Sequence, residues 1–116
     1  ELLEMQDQVR RVTITDPVCQ YIVSLCAETR RHPGIELGLS PRGTLALAAI
    51  ARANAYINGR NYVIPRDVSD MFPYIAIHRL RLSSEAKMNR WSAEDILKQI
   101  VKRVETPLPE RMKSRG

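Results

Sequence analysis

Residues 45–51, Leu-Ala-Leu-Ala-Ala-Ile-Ala, are apolar without interruption and lie in the middle of a segment with clear ends. Ser40-Pro41 supplies a start signal, a hydroxyl N-cap followed by a proline whose missing N–H costs nothing in a first helical turn. Gly59 supplies the stop. Ala53, Tyr56 and Ile57 carry the apolar character on toward Asn58. A helix that is apolar nearly all round belongs at the centre of a bundle. The alanines would let its neighbours approach closely. The pattern therefore predicts a central, buried helix, and the rest of the chain must supply elements to surround it.

Those elements are legible. Leu2, Met5, Gln6 and Val9 make a weak helical stripe, and Val12-Thr13-Ile14-Thr15 reads as a short extended piece. Asp16-Pro17 opens a helix, with Asp16 as N-cap and Val18, Tyr21, Ile22, Leu25, Cys26 and Thr29 on one face. His32-Pro33-Gly34 breaks it. Tyr62-Val63-Ile64 is extended, and Pro65 starts a third helix with Val68, Met71, Phe72 and Ile75 inward. Pro73 is expected to kink or break that helix. Leu80-Arg81-Leu82 alternates like a small strand. Ser92-Ala93-Glu94-Asp95 fits a capping box for a last helix, which buries Ile96, Leu97, Ile100, Val101 and Val104 and ends at Pro107 and Pro109. Pro17, Pro41 and Pro65 are spaced 24 residues apart, but nothing else repeats, so this is no solenoid. The expected fold is all-α, a small bundle of about four main helices with short extended connectors.

A length of 116 residues suits one small domain. Aromatic residues are only 5%, so the core must be aliphatic and alanine-packed. No apolar run reaches the ~20 residues of a membrane span. The chain opens on Glu1-Leu2-Leu3-Glu4 without a signal peptide, and that opening reads as an internal boundary of a larger protein. The net charge of +5 is mild, and three of the bases lie in the tail, as Arg111, Lys113 and Arg115. No dense basic patch argues for nucleic acid. Cys19 and Cys26, if on one helix, are ~10.5 Å apart along its axis, too far for a disulfide. Two buried, reduced thiols are expected.

Enzyme motifs are missing. There is no G-x-x-x-x-G-K-[ST] phosphate loop, no G-x-G-x-x-G, no H-E-x-x-H and no G-x-S-x-G. His32 and His78 lack ligand partners at metal spacing, so no metal site is expected. Arg42 stands out. It occupies the first turn of the helix opened by Ser40-Pro41, where the helix dipole disfavours a cation. That helix end attracts anions, and a guanidinium there would complete a phosphate fork. A solvated arginine that tolerates a few tenths of a kcal/mol is the alternative. Arg66 sits equivalently after Pro65. Arg30 and Arg31, beside His32, form a second cluster at a helix C-terminus, where cations are favoured. They are candidates either for capping or for contact with a partner or subunit.

Four segments carry a family resemblance. Gly38-Leu39-Ser40-Pro41-Arg42-Gly43 is similar to the GASPRA segment of MoxR-family AAA+ lid domains. Thr29-Arg30-Arg31-His32-Pro33 resembles the stretch upstream of it in that family. Gly59-Arg60-Asn61-Tyr62-Val63-Ile64-Pro65-Arg66-Asp67-Val68 resembles the stretch downstream, and His78-Arg79-Leu80 the one after that. They occur in family order over roughly residues 16–105. The resemblance implies a C-terminal lid over residues 16–106, with 1–15 as the linker from an upstream α/β ATPase core and 107–116 as a mobile basic tail. It implies ATP and Mg²⁺ in the parent protein and no catalytic residue in this fragment. Arg42 takes the sensor-2 position facing the terminal phosphate. The implied partners are the core, neighbouring subunits of a ring, usually a hexamer, and a client protein in chaperone-like assembly or metal insertion, in the cytoplasm. Gly43 departs from the family's usual alanine, and Ile64 from a hydroxyl N-cap.

A histone-fold module that dimerises and binds DNA is the alternative. A long alanine-rich helix followed by a G-R-x-x-V-x-P-x-D-V turn also fits that fold. Against it, a central helix of about 18 residues, ~27 Å long, is short. A helix-turn-helix reader finds no compact turn at the needed spacing.

Overall fold

The computed structural model describes residues 2–107. Among them are six helices and one two-stranded sheet. Helix α1 spans Leu2–Arg10, α2 Asp16–Arg31, α3 Pro41–Ile57, α4 Pro65–Ala76, α5 Ser84–Met88 and α6 Ala93–Arg103. Strand β1, Ile35–Leu37, pairs antiparallel with β2, Arg81–Leu82. The four main helices are α2, α3, α4 and α6. No helix among the described residues is long and apolar enough to cross a membrane.

Helix α3 packs most extensively on α4 and also meets α1 and α2. Its central placement follows the sequence, but its burial does not. Gly43, Leu47, Ala51 and Ala55 are buried, a stripe at four-residue spacing. Leu45 and Ile57 are 72% and 79% exposed. Ile50 also reaches solvent. The apolar run is long because alanines fill it, and only one side of the helix is covered. The other helices bury the stripes their spacing predicts: Val18, Tyr21, Ile22, Leu25, Cys26 and Thr29 on α2, Val68 and Phe72 on α4, and Ile96, Leu97 and Ile100 on α6. Met71, Ile75, Val101 and Val104 are only partly buried against this core.

Several local expectations need correction. The N-cap of α2 is Thr15, so Asp16 and Pro17 are the first two helical residues, and the cap makes no side-chain bond. Helix α4 runs through Pro73 to Ala76. The proline stands in the last turn, where it removes one donor and little helix remains to be disrupted. Cys26 is buried, but Cys19, one turn into α2, is exposed. Burial pushes the Cys26 thiol pKa up, while Thr44 and the charge of Arg30 pull against it. The segment read as the linker is not among these corrections: it is helical over Leu2–Arg10, as its weak stripe suggests, and packs on α3. There Tyr56 donates to Gln8 Oε1 at 2.8 Å and Arg52 Nε to the Val12 carbonyl at 3.1 Å. The tail expected over 107–116 lies outside the described residues except for Pro107.

Two features of the sheet and its surroundings were not anticipated. The small strand expected at 80–82 exists, and its partner is β1, just past the His32-Pro33-Gly34 breaker. Helix α5 is capped by Ser83 Oγ, which accepts from the Ala86 N–H at 3.1 Å and donates to the Pro33 carbonyl at 2.7 Å. His32, 6% exposed, accepts the Gly34 N–H at Nδ1, 2.9 Å. That leaves Nε2 to donate to Gln99 Oε1 at 3.0 Å, which ties the end of α2 to α6.

The end of α3 is a Schellman turn. Asn58 is the C-cap, the Gly59 N–H bonds the Tyr56 carbonyl at 3.0 Å and the Arg60 N–H bonds the Ala55 carbonyl at 2.9 Å. Gly59 has φ +79, in the left-handed region, and no heavy atom lies within 4 Å of where a Cβ would sit. Substitution there is therefore a test of backbone strain alone. Gly59→Ala is expected to cost about 1 kcal/mol. Equal urea midpoints for the two proteins would show that the turn does not need glycine.

Candidate functional site

Arg42 lies in the first turn of α3, and Arg30 and Arg31 lie in the last turn of α2. Ser40 caps α3, its Oγ accepting from the Gly43 N–H at 3.2 Å, and its carbonyl accepts the Thr44 N–H at 3.0 Å. Pro41 has no N–H. One backbone donor in this turn, that of Arg42 itself, has no partner among the described residues. The Arg42 side chain is exposed and has no hydrogen-bonded or ionic partner among them either. Arg42 thus offers an anion two unengaged donor groups, its backbone N–H and its guanidinium, at a helix end that favours negative charge. Gly43 is buried beside it. A Cβ there would lie 2.9 Å from Leu39 Cδ2 and 3.4 Å from Arg79 Cδ. The missing side chain makes room for Leu39 in the core and brings the stem of Arg79 alongside the first turn.

Arg30 and Arg31 part company. Arg30 Nε donates to the Leu39 carbonyl at 3.0 Å, so this arginine holds the loop that leads into α3. Arg31 is 78% exposed and lies 4.0 Å from Glu28, whose other oxygen is 3.5 Å from Arg103. Exposed charge pairs of this kind contribute little. Arg66, the counterpart of Arg42 on α4, is 3.5 Å from Asp70 one turn on. Arg42 differs from it in having no carboxylate partner among the described residues. No cluster of three or more metal-ligating side chains occurs among the described residues.

A second polar centre lies at the other end of α3. Asp67, 1% exposed, receives both terminal nitrogens of Arg60, the Nη2 contact at 2.8 Å. It also accepts from Asn54 Nδ2 at 2.8 Å and from the Ile64 N–H at 2.9 Å. Burial alone would raise the Asp67 pKa. The hydrogen bonds from Arg60, Ile64 and Asn54 and the Arg60 charge outweigh it, and the carboxyl is held below its ordinary value. Ile64 cannot cap α4 with a side-chain oxygen, but its N–H is satisfied by Asp67. Every strong donor around this carboxylate is already engaged, so the cluster is structural: it joins the end of α3 to the start of α4.

The profile of the AAA lid domain family matches residues 27–100, more than half of the chain. This chain is an AAA lid domain. Chaperone MoxR1 of Mycobacterium tuberculosis is 28% identical over the whole of the lid, which spans 33% of that protein. The uncharacterised protein YeaC of Bacillus subtilis is 38% identical over 93% of the lid, and 34% of YeaC is covered. Protein MoxR of Methylorubrum extorquens is 32% identical over 66% of the lid and 24% of its own length. A crystal structure of a candidate ATPase from Cytophaga hutchinsonii superposes with a TM-score of 0.81 at 29% identity, covering 88% of the lid and 34% of that chain. The lid is therefore of the MoxR type and spans about a third of the first relatives it matches. These likenesses give the histone-fold reading no support.

Proposed function

We propose that this lid closes over a nucleotide bound by an upstream AAA+ core in the same polypeptide, and that Arg42 is its sensor-2 residue, facing the terminal phosphate of ATP. The observation that carries the reading is the state of Arg42. Its guanidinium and backbone N–H are both unengaged at a capped helix start, in a domain of the MoxR type. Leu45, exposed one turn further along the same face, supports it, because an apolar side chain beside an anion-facing arginine suits a surface that another domain covers. The core supplies the phosphate loop, the Mg²⁺ site and the catalytic acid. Residues 1–15 connect the core to the lid domain of 16–106, and 107–116 form a basic tail. Lid rotation passes to neighbouring subunits of a ring, a hexamer in the simplest arrangement, and drives chaperone-like assembly or metal insertion on a client in the cytoplasm.

In the full-length protein, Arg42→Ala is expected to reduce ATP turnover about tenfold or more, the scale of one lost charge-assisted phosphate contact. Normal turnover together with normal affinity for a non-hydrolysable ATP analogue would overturn the sensor role. Arg66→Ala, which alters an exposed arginine already paired within its helix, is the matched control and should leave turnover unchanged.

A further inference from the structure

We propose that Thr29 and Arg30 are positioning residues for Arg42, clamping both backbone polar groups of Leu39 and so fixing where α3 begins; the proposal rests on the sensor reading of Arg42. The Leu39 N–H donates to Thr29 Oγ1 at 2.9 Å, and the Leu39 carbonyl accepts from Arg30 Nε at 3.0 Å. Thr29 is fully buried, and its hydroxyl donates a hydrogen bond to the Cys26 carbonyl at 2.6 Å. One oxygen thereby serves as acceptor and donor, which fixes its rotamer. The loop can lie this close to α2 because residue 38 is glycine: a Cβ there would be 2.7 Å from the Thr29 carbonyl oxygen. The Leu39 side chain is itself buried, against Gly43.

Leu39 is thus held at its N–H, its carbonyl and its side chain, immediately before the Ser40 cap and three residues before Arg42. Capping alone does not require this. Helix α6 starts on the Ser92 cap, its Oγ accepting from the Asp95 N–H at 3.1 Å; the N–H of the residue before it, Trp91, bonds the Ala86 carbonyl at 2.9 Å, but no side chain among the described residues bonds either of its backbone polar groups. A side chain that contacts a phosphate must be placed to within about 0.5 Å to be productive, and a 1 Å displacement from a remote change can cost about a hundredfold in rate. The clamp supplies that placement through the backbone. It also explains why Thr29-Arg30 and Ser40-Pro41-Arg42, separated by a strand and a turn, belong to one device.

The test is steady-state ATP hydrolysis by the full-length protein with Thr29→Val, Thr29→Ser, Arg30→Ala, Arg42→Ala and the Thr29→Val/Arg42→Ala pair. Thr29→Val keeps the shape of the side chain and removes the acceptor. It is expected to lower kcat about tenfold with KM within about threefold of wild type, and Thr29→Ser, which keeps the hydroxyl, should restore kcat. The double variant should be no slower than Arg42→Ala alone, within about twofold, because the clamp acts only through Arg42. A purely structural role would instead multiply the two losses. If Thr29→Val fails to fold, Arg30→Ala carries the test, since Arg30 is exposed beyond its bond to Leu39. Normal kcat in the clamp variants beside an impaired Arg42→Ala would overturn this inference and leave the sensor reading standing. Normal kcat in Arg42→Ala together with normal affinity for the non-hydrolysable analogue would overturn both.

Discussion

Asp67→Asn is expected to destabilise the lid by about 3 kcal/mol, near the lower end of what breaking a buried ion pair costs. The lower end applies because Arg60 is 22% exposed and can turn to water, whereas Asp67 cannot. The amide oxygen can still accept two hydrogen bonds, but the amide nitrogen is itself a donor, so the side chain cannot receive two guanidinium nitrogens, Asn54 Nδ2 and the Ile64 N–H together. For a domain of this size the loss corresponds to a fall in Tm of roughly 10–20 °C. The effect should depend on pH in a defined direction. The folded-state pKa of Asp67 is lowered, so the stability it contributes is fully present above the unfolded value and is lost as pH falls through the folded one. Urea midpoints for wild type and Asp67→Asn should therefore differ most at neutral pH, begin to approach each other below about pH 4, near the unfolded value, and meet only below the lowered folded-state pKa. A difference that persisted unchanged at pH 3, or none at pH 7, would contradict the account.

The same cluster shows what a sequence can and cannot reveal. Gly59 as a helix stop and Pro65 as a helix start are local signals, and both hold. Asp67, an acid in the first turn of α4, also complements the helix dipole. The ion pair with Arg60 does not, because it depends on a Schellman turn pointing Arg60 back across an extended link, which no spacing rule encodes. Arg30 is a similar case. A cation at a helix C-terminus looks like a cap, and its bond to Leu39 exists only once the loop after β1 has folded back on α2. The overestimate of burial on α3 has a different cause. Alanine counts as apolar in a pattern yet is small enough to sit on either side of a helix, so Leu45–Ala51 reads as wholly buried while Leu45 and Ile50 face outward. Helix α5 is too short to show a period, although Ser83 followed by Glu85 and Ala86 carried its start signal. The place of Arg42 in the first turn of α3 was legible because Ser40-Pro41 is an entirely local start signal.

Phe72→Ala is expected to cost about 3–5 kcal/mol, and the upper part of that range is the better expectation here. Phe72 is the chain's single phenylalanine and is fully buried, on the helix that makes the most extensive contact with α3. How much a cavity costs depends on how far its walls can collapse. Three members of this core, Ala51, Ala55 and Ala76, lie on α3 and α4 and have no side-chain atoms to swing into a void. Where alanines line the gap, closing it would require the two helices themselves to move, against the Arg60–Asp67–Asn54 link that joins them at one end. Phe72→Leu leaves a smaller void and should cost roughly half as much or less. Urea denaturation of the two variants checks the argument. A cost below about 2 kcal/mol for the alanine variant would mean that α3 and α4 can close on each other. The spacing between them would then be set by the volume of Phe72, and the polar cluster at Asp67 would not hold them apart.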